Sequence, residues 1–177
     1  MDDGRIESLA SLYQAHGPDL LRFLRRSGAA AGPSAEDLLQ ETFVQAMRRA
    51  DALAGVRSPR AWLFGIARHV ALTAARRARP MRALDLETVA ADGGQLTAED
   101  PRLEPMRSAI ARLPDVLRET LELRLRDELS YDEIADVLAV PVGTVRSRLH
   151  HAMCRLREAV APAASEAAVV RPAARGE

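Results

Sequence analysis

Late in the chain two arginines, Arg146 and Arg148, follow a proline, a glycine and a threonine in the run VPVGTVRSRLHH, residues 140–151. Arginine carries a planar fork of donors that fits a phosphate or the paired acceptors on the edge of guanine. Proline and glycine open helices well. A helix start leaves amides near Thr144 turned outward, where an anion is favoured. Gly143 has no side chain to hold an approaching backbone away. The chemistry open to this stretch is recognition of a polyanion, with no bond made or broken.

The expected helix can be tested by phase. With Thr144 at zero and about 100° per residue, Val145, Leu149, Ala152 and Leu156 fall between about 80° and 140°, with Met153 near 180°. That is the expected buried face. Ser147, His150, His151 and Cys154 lie opposite. Arg146 flanks one side, Arg148 and Arg155 the other. Diverging arginines suit the two walls of a DNA major groove, which admits one helix and is read from its first turns. His150 and Cys154 share a face, as two zinc ligands would. The remaining histidines are His16 and His69, and no ligand set forms, so neither a metal nor another cofactor is expected.

A helix of this kind needs a partner helix in front of it. Residues 130–133 read SYDE, a capping box in which the serine serves the Glu133 amide and Glu133 reaches back. Ile134, Ala135, Val137 and Leu138 give the helix an apolar side. Residues 139–142 make a tight turn. Two short helices about such a turn, the second bearing arginine, outline a helix-turn-helix. Ahead of them, a helix over residues 107–113 stops before Pro114. Pro114 and Asp115 open another, with Leu117, Leu121 and Leu125 on one face.

The N-terminal half also reads as helices. Ile6, Leu9, Leu12 and Tyr13 repeat at helical spacing, and Leu20, Leu21 and Leu24 continue after Gly17-Pro18. Ser34 is a good N-cap, with Glu36 and Asp37 in the turn that the helix dipole favours for acids. Leu38, Leu39, Phe43 and Met47 supply an apolar stripe. A loop follows at residues 51–57. Ser58-Pro59 restarts a helix, in which Trp62, Ile66 and Val70 lie four apart and should face the core, with a stacking platform for an exposed base as the alternative for Trp62. Arg68, Arg76, Arg77 and Arg79 gather elsewhere on it, and Pro80 should stop it.

Charge and composition divide the chain in the same way. All 25 basic residues are arginine, balanced by 25 acids. Residues 1–80 hold 12 arginines against 8 acids, and residues 81–107 hold 3 against 6. Periodicity fades over residues 81–105, where DGGQLTAEDP has the composition of a linker. At about 3.3 Å per residue its 25 residues reach on the order of 80 Å. Residues 161–177 are rich in alanine and proline and are expected to be disordered or weakly helical. Aromatics are 3% of the chain, which argues against a β-sandwich. The expected fold is all-α: two small helical domains, residues 1–80 and 106–160, joined by an acidic linker.

Several function classes fall away. A single cysteine cannot staple the chain, and a reducing cytoplasm is the expected home. The N-terminus lacks a basic run followed by an apolar segment. No stretch reaches the roughly 18 apolar residues of a membrane span, so membrane insertion is not expected. No P-loop, nucleophile elbow, metal set or pair of acids is present, so no catalytic residue and no enzyme activity are expected.

The stretch LSYDEIADVLAVPVGTVRSRL resembles the promoter-reading helix-turn-helix of the extracytoplasmic-function (ECF) group of sigma-70 family RNA polymerase sigma factors. SAEDLLQETFVQAMRRAD resembles the group's helix that docks on polymerase, and SPRAWLFGIARHVALTAARRARP its promoter-melting helix. The resemblance implies that residues 1–80 bind core RNA polymerase and open the minus-ten element of promoter DNA, while residues 106–160 read the minus-thirty-five element. By the same resemblance Asp37, Leu38, Gln40, Glu41 and Phe43 face polymerase. Arg60, Arg68, His69, Thr73, Arg76 and Arg77 face the minus-ten strand. Thr144, Arg146, Ser147, Arg148 and His151 face the minus-thirty-five groove. The family's pattern usually has asparagine where this chain has His69, and often aspartate where it has Thr73. An anti-sigma factor is a further partner that the family implies. The competing expectation is a stand-alone helix-turn-helix regulator, which would bind DNA without polymerase.

Overall fold

The computed structural model describes residues 3–27, 32–82 and 104–166, and every element among them is helical. Helix α1 spans Asp3–Ser27, α2 Ala35–Arg48 and α3 Pro59–Arg82, with a 3₁₀ turn at Ala50–Gly55 between the last two. Then come α4 (Glu104–Ala111), α5 (Asp115–Leu125), α6 (Tyr131–Leu138) and α7 (Val142–Glu166). By contacts the chain forms two compact units, one holding α1, α2, α3 and α6, the other α4, α5 and α7. The expected linker lies almost wholly outside the described residues. So does most of the expected tail, although α7 runs into it as far as Glu166.

In the first unit, α1, α2 and α3 pack pairwise against one another. Leu20, Leu24, Leu63 and Phe64 are completely buried, and Phe23 meets Phe64 edge-on at 5.4 Å between ring centres. Truncating a ring so placed costs about 3–5 kcal/mol, through lost transfer energy and the cavity left behind. Helix α1 passes through Pro18 without ending. Proline there removes one helical hydrogen bond, and the buried run Leu20, Phe23 and Leu24 just beyond it holds the helix together.

Helix α2 starts as its sequence demands. The Ser34 hydroxyl accepts from the Asp37 amide at 3.1 Å, and the Asp37 carboxylate accepts from the Ser34 amide at 3.2 Å. Leu38, Leu39, Thr42 and Ala46 form its buried side. Thr42 donates to the Leu38 carbonyl at 2.7 Å, so its buried hydroxyl is satisfied. At the start of α3 the Ser58 hydroxyl accepts from the Ala61 amide at 3.1 Å, the expected cap. Pro80 does not stop α3, which continues to Arg82. A proline at that point removes only one hydrogen bond near the helix end, where the ladder is running out anyway.

In the second unit α7 packs on both α4 and α5. Val145, Leu149, Ala152 and Leu156 are all buried, as the phase of the helix predicts. Met153 is not; it is 42% exposed. Leu125 is likewise exposed at 63%, although Leu117 and Leu121 are buried. Each four-residue step overshoots a full turn by about 40°, so Leu125 has drifted about 80° from Leu117, and Leu123 takes its place in the core. The turn after α6 contains Ala139 at φ 52°, in the left-handed region, with the Val140 amide donating to the Ala135 carbonyl at 3.0 Å.

One polar cluster ties α1 to α3. Arg60 lies 3.3 Å from the Asp19 carboxylate, with its guanidinium 5.7 Å from the centre of the Phe64 ring. His16 sits beside this pair. Burial, and next to it the positive charge of Arg60, lower its pKa below the ordinary 6.5, against the opposing pull of Asp19 and Glu133.

Two outcomes follow for stability. Ala139→Gly removes the strain of a left-handed alanine and is expected to raise the unfolding free energy by up to about 1 kcal/mol in urea, whereas Ala139→Val lowers it. For His16, a lowered folded pKa means that the unfolded chain binds its proton first as the pH falls. Stability is then full above pH 6.5 and declines from there down to the lowered folded value. His16→Gln is expected to flatten this part of the stability profile, measured by urea unfolding across pH 5 to 8.

Candidate nucleic-acid and polymerase interfaces

The core contacts of α3 decide which of its residues meet solvent. Leu63, Phe64, Ala67, Val70 and Ala71 are buried. His69, Arg76 and Arg77 are exposed, and Thr73 is half-buried between them. At about 100° per residue, His69, Thr73, Arg76 and Arg77 span about 100° of the helix. Leu72, 39% exposed, stands at the edge of the same strip. Two guanidiniums, an imidazole and a hydroxyl on one face can hold a nucleic-acid strand by its phosphates and donate to its bases. Arg68 is half-buried, beside the strip. Arg60 is not part of it. It lies nine residues before His69, about half a turn round the helix, and is engaged with Asp19 and Phe64. The sequence grouped it with the other arginines by type; the structure makes it an internal tie.

A cleft of about 630 Å³ opens at the N-terminal end of α3. Arg49, Val56, Arg57, Ser58, Ala61, Trp62, Gly65 and Ile66 line it, together with Asp136 of α6. Trp62 was expected to face the core with Ile66 and Val70. Those two are buried, at 4% exposure each, but Trp62 is only half-buried and forms part of the cleft wall. Arg57 donates to Asp136 at 2.9 Å and lies 3.8 Å from Asp132. The hydrogen bond to Asp136 is the main reason its pKa rises above the ordinary arginine value. Arg49 was not among the residues singled out, and Arg57 only as the end of the loop 51–57, which the family resemblance implies helps to form a base pocket. Their position at the two ends of the 3₁₀ turn was the available signal, and only the turn's geometry brings them together.

On α2 the residues expected to face polymerase divide. Asp37, Gln40 and Glu41 are exposed. Leu38 is buried at 4%, on the core side of the helix. Phe43 is half-buried, its ring edge-on to Tyr13 at 4.9 Å, with Met47 exposed nearby on the same helix. The reachable surface is thus Asp37, Gln40 and Glu41, bordered by the apolar Tyr13, Phe43 and Met47. A second groove, about 600 Å³, runs between α2 and α3 and is lined by Asp37, Leu38, Glu41, Gln45, Thr73 and Arg77, among others. It joins residues that the sequence had assigned to two different partners.

On α7, Arg146, Ser147 and His151 are exposed, and Thr144 and Arg148 half-buried. All five therefore lie on or beside the side of the helix away from Val145 and Leu149. The Thr144 amide is not open to a phosphate, because it donates to the Pro141 carbonyl at 2.9 Å. A side chain on Gly143 would meet nothing within 4 Å. The glycine therefore answers to no neighbour in the fold. His150 Nε2 lies 3.6 Å from Cys154 Sγ. No cluster of three or more potential metal ligands occurs among the described residues.

Comparison with known proteins gives the family of the chain. Residues 12–80 match the family model of Sigma-70 region 2, and residues 103–156 that of Sigma-70, region 4. The ECF RNA polymerase sigma factor SigW of Bacillus subtilis is 32% identical over 138 residues, covering 70% of this chain and 74% of the relative. The ECF RNA polymerase sigma factor RpoE of Cereibacter sphaeroides is 32% identical over 158 residues, 85% of each chain. Among solved structures, the sigma factor RpoE of Bartonella quintana, determined with the anti-sigma factor NepR, superimposes with a TM-score of 0.62 at 28% identity. That match covers 91% of this chain and 99% of the other. The chain belongs to the ECF group of sigma-70 family factors, which bind core RNA polymerase and direct promoter-specific initiation of transcription.

Proposed function

We propose a division of labour along the chain in which residues 1–80 engage polymerase and the minus-ten element and residues 106–160 read the minus-thirty-five element. The observation that carries it is the match to region 2 and region 4, in that order, across residues 12–156. Asp37, Gln40 and Glu41 make the polar part of the polymerase contact, with Phe43 at its edge. His69, Thr73, Arg76 and Arg77 hold the opened minus-ten strand, with Arg68 beside them. The linker, residues 81–105, spans the distance between the two DNA elements.

On α7, Arg146 and Arg148 reach the two walls of the minus-thirty-five groove, with Thr144, Ser147 and His151 between them. Base recognition and phosphate contact differ in their consequences. A base contact discriminates between sequences, while a phosphate contact weakens all sequences alike.

The factor carries no chemistry of its own, and polymerase makes the phosphodiester bonds. It works in the cytoplasm, where its polymerase is. An anti-sigma factor is a further partner, supported by the Bartonella quintana relative, which was solved with NepR.

Run-off transcription with purified core polymerase tests this reading. The chain is expected to redirect polymerase to new start sites. If the chain instead bound duplex promoter tightly and specifically, with no change on adding core polymerase, it would be a stand-alone regulator. Arg146→Ala is expected to cost about 1–3 kcal/mol at its preferred promoter and less at variants of the contacted base. Gly143→Ala is expected to keep or raise thermal stability, since alanine is the better helix former by about 1 kcal/mol, while lowering promoter activity by crowding the DNA backbone.

A further inference from the structure

The cleft at the start of α3 presents what a nucleic-acid strand would use: two guanidiniums, a hydroxyl and an indole. Among the groups whose bonds are mapped, the donors meet carboxylates of α6. Arg57 donates to Asp136 at 2.9 Å and faces Asp132 at 3.8 Å. The Ser58 hydroxyl donates to Glu133 at 2.8 Å while accepting from the Ala61 amide. Asp132, Glu133 and Asp136 thus present three carboxylates within little more than one turn of helix. A carboxylate offers arginine the same paired oxygen acceptors and the same sign of charge as a phosphate does.

We propose that the acidic side of α6 is an internal substitute for DNA, which occupies this cleft in the free chain and keeps a strand out until α6 withdraws. The inference rests on the reading that the surface of α3 takes the opened strand. It explains a combination that the function alone does not require. Arg49 and Arg57 line the cleft, yet the α6 side chains that meet Arg57 and Ser58 are acidic.

The latch is suited to release. Arg57 is 63% exposed, Asp136 47% and Asp132 61%. Ion pairs this open to water are weak and are screened by salt. Only the Ser58–Glu133 bond is partly buried. A modest competing interaction, such as docking on polymerase, suffices to replace them.

Trp62 is the one tryptophan of the chain and lines the cleft, so its fluorescence reports closure directly. In the full-length protein, R57E and D136R are each expected to increase acrylamide quenching of Trp62. The charge-swapped double variant R57E/D136R is expected to restore the wild-type value. High salt should open the wild type and leave the single variants unchanged. Equal quenching in all four proteins, or a double variant more open than either single one, overturns the latch.

Affinity gives a second arm. With a labelled mixed-sequence single strand of about 20 nucleotides, E133Q/D136N is expected to bind about tenfold tighter than wild type. E128Q/E158Q, which removes the same charge from exposed positions elsewhere, sets the contribution of net charge alone. If E133Q/D136N gains no more than that control, α6 does not guard the cleft. Run-off transcription with core polymerase separates the two levels. A chain that directs transcription but shows no gain on neutralising α6 keeps its function and loses the latch. A chain that core polymerase ignores loses the reading beneath it.

Discussion

The rotation of α3 about its own axis governs the molecule's surface, and the buried contact of Phe23 with Phe64 holds that rotation. With Leu63, Phe64, Ala67 and Val70 turned into the core, His69, Arg76 and Arg77 are left exposed, with Thr73 half-buried among them. A slip of one residue would bury guanidiniums without partners, at a cost several times that of any surface contact they make. The apolar side of the helix thereby aims the basic side. The same constraint operates on α7, where Val145 and Ala152 are completely buried and Arg146 is left outside.

Charge is then distributed by role. The arginines of α3 and α7 that remain accessible stand on solvent-facing strips, while Arg60 is drawn inward to Asp19 and the Phe64 ring. This tie puts a positive charge next to His16 and helps to keep that imidazole neutral. Arg57 occupies a middle position, largely exposed but engaged by Asp136. A net charge of zero over the whole chain therefore conceals local basic strips, and at Arg57 the positive charge is answered by an acid of the chain itself. Long-range attraction to DNA is weak under these conditions, and local contacts set where the protein binds.

Local signals were readable wherever a helix had one clear apolar face and a chemically distinctive start. Ser34 with Asp37, Ser58 with Pro59, and the stripe Val145, Leu149, Ala152 and Leu156 all took the places their sequence implied. The misreadings occurred at margins. Pro80 lies so near the end of α3 that its missing donor hardly matters. Leu125 and Met153 sit where an apolar stripe drifts away from the core, and hydrophobicity alone cannot tell the last residue of a stripe from the first one beyond it. Leu38 and Trp62 show the same limit from two sides. The first belongs to the apolar stripe of α2 yet also borders a groove, and the second was expected in the core and lines a cleft.

The sequence by itself determined the helical character of the chain, the order of its modules and the residue types that could meet DNA. Those properties follow from periodicity, capping and side-chain chemistry, which act within a few residues of one another. Tertiary structure alone decided which arginines are engaged within the fold and which are left facing solvent. Arg60 and Arg76 are the same side chain on the same helix. Half a turn apart, one meets Asp19 and the other meets water, and only packing against α1 distinguishes them. The cleft lined by Arg57 and Trp62, with Asp136 against it, is of the same kind, because it joins residues about eighty positions apart that no local rule connects.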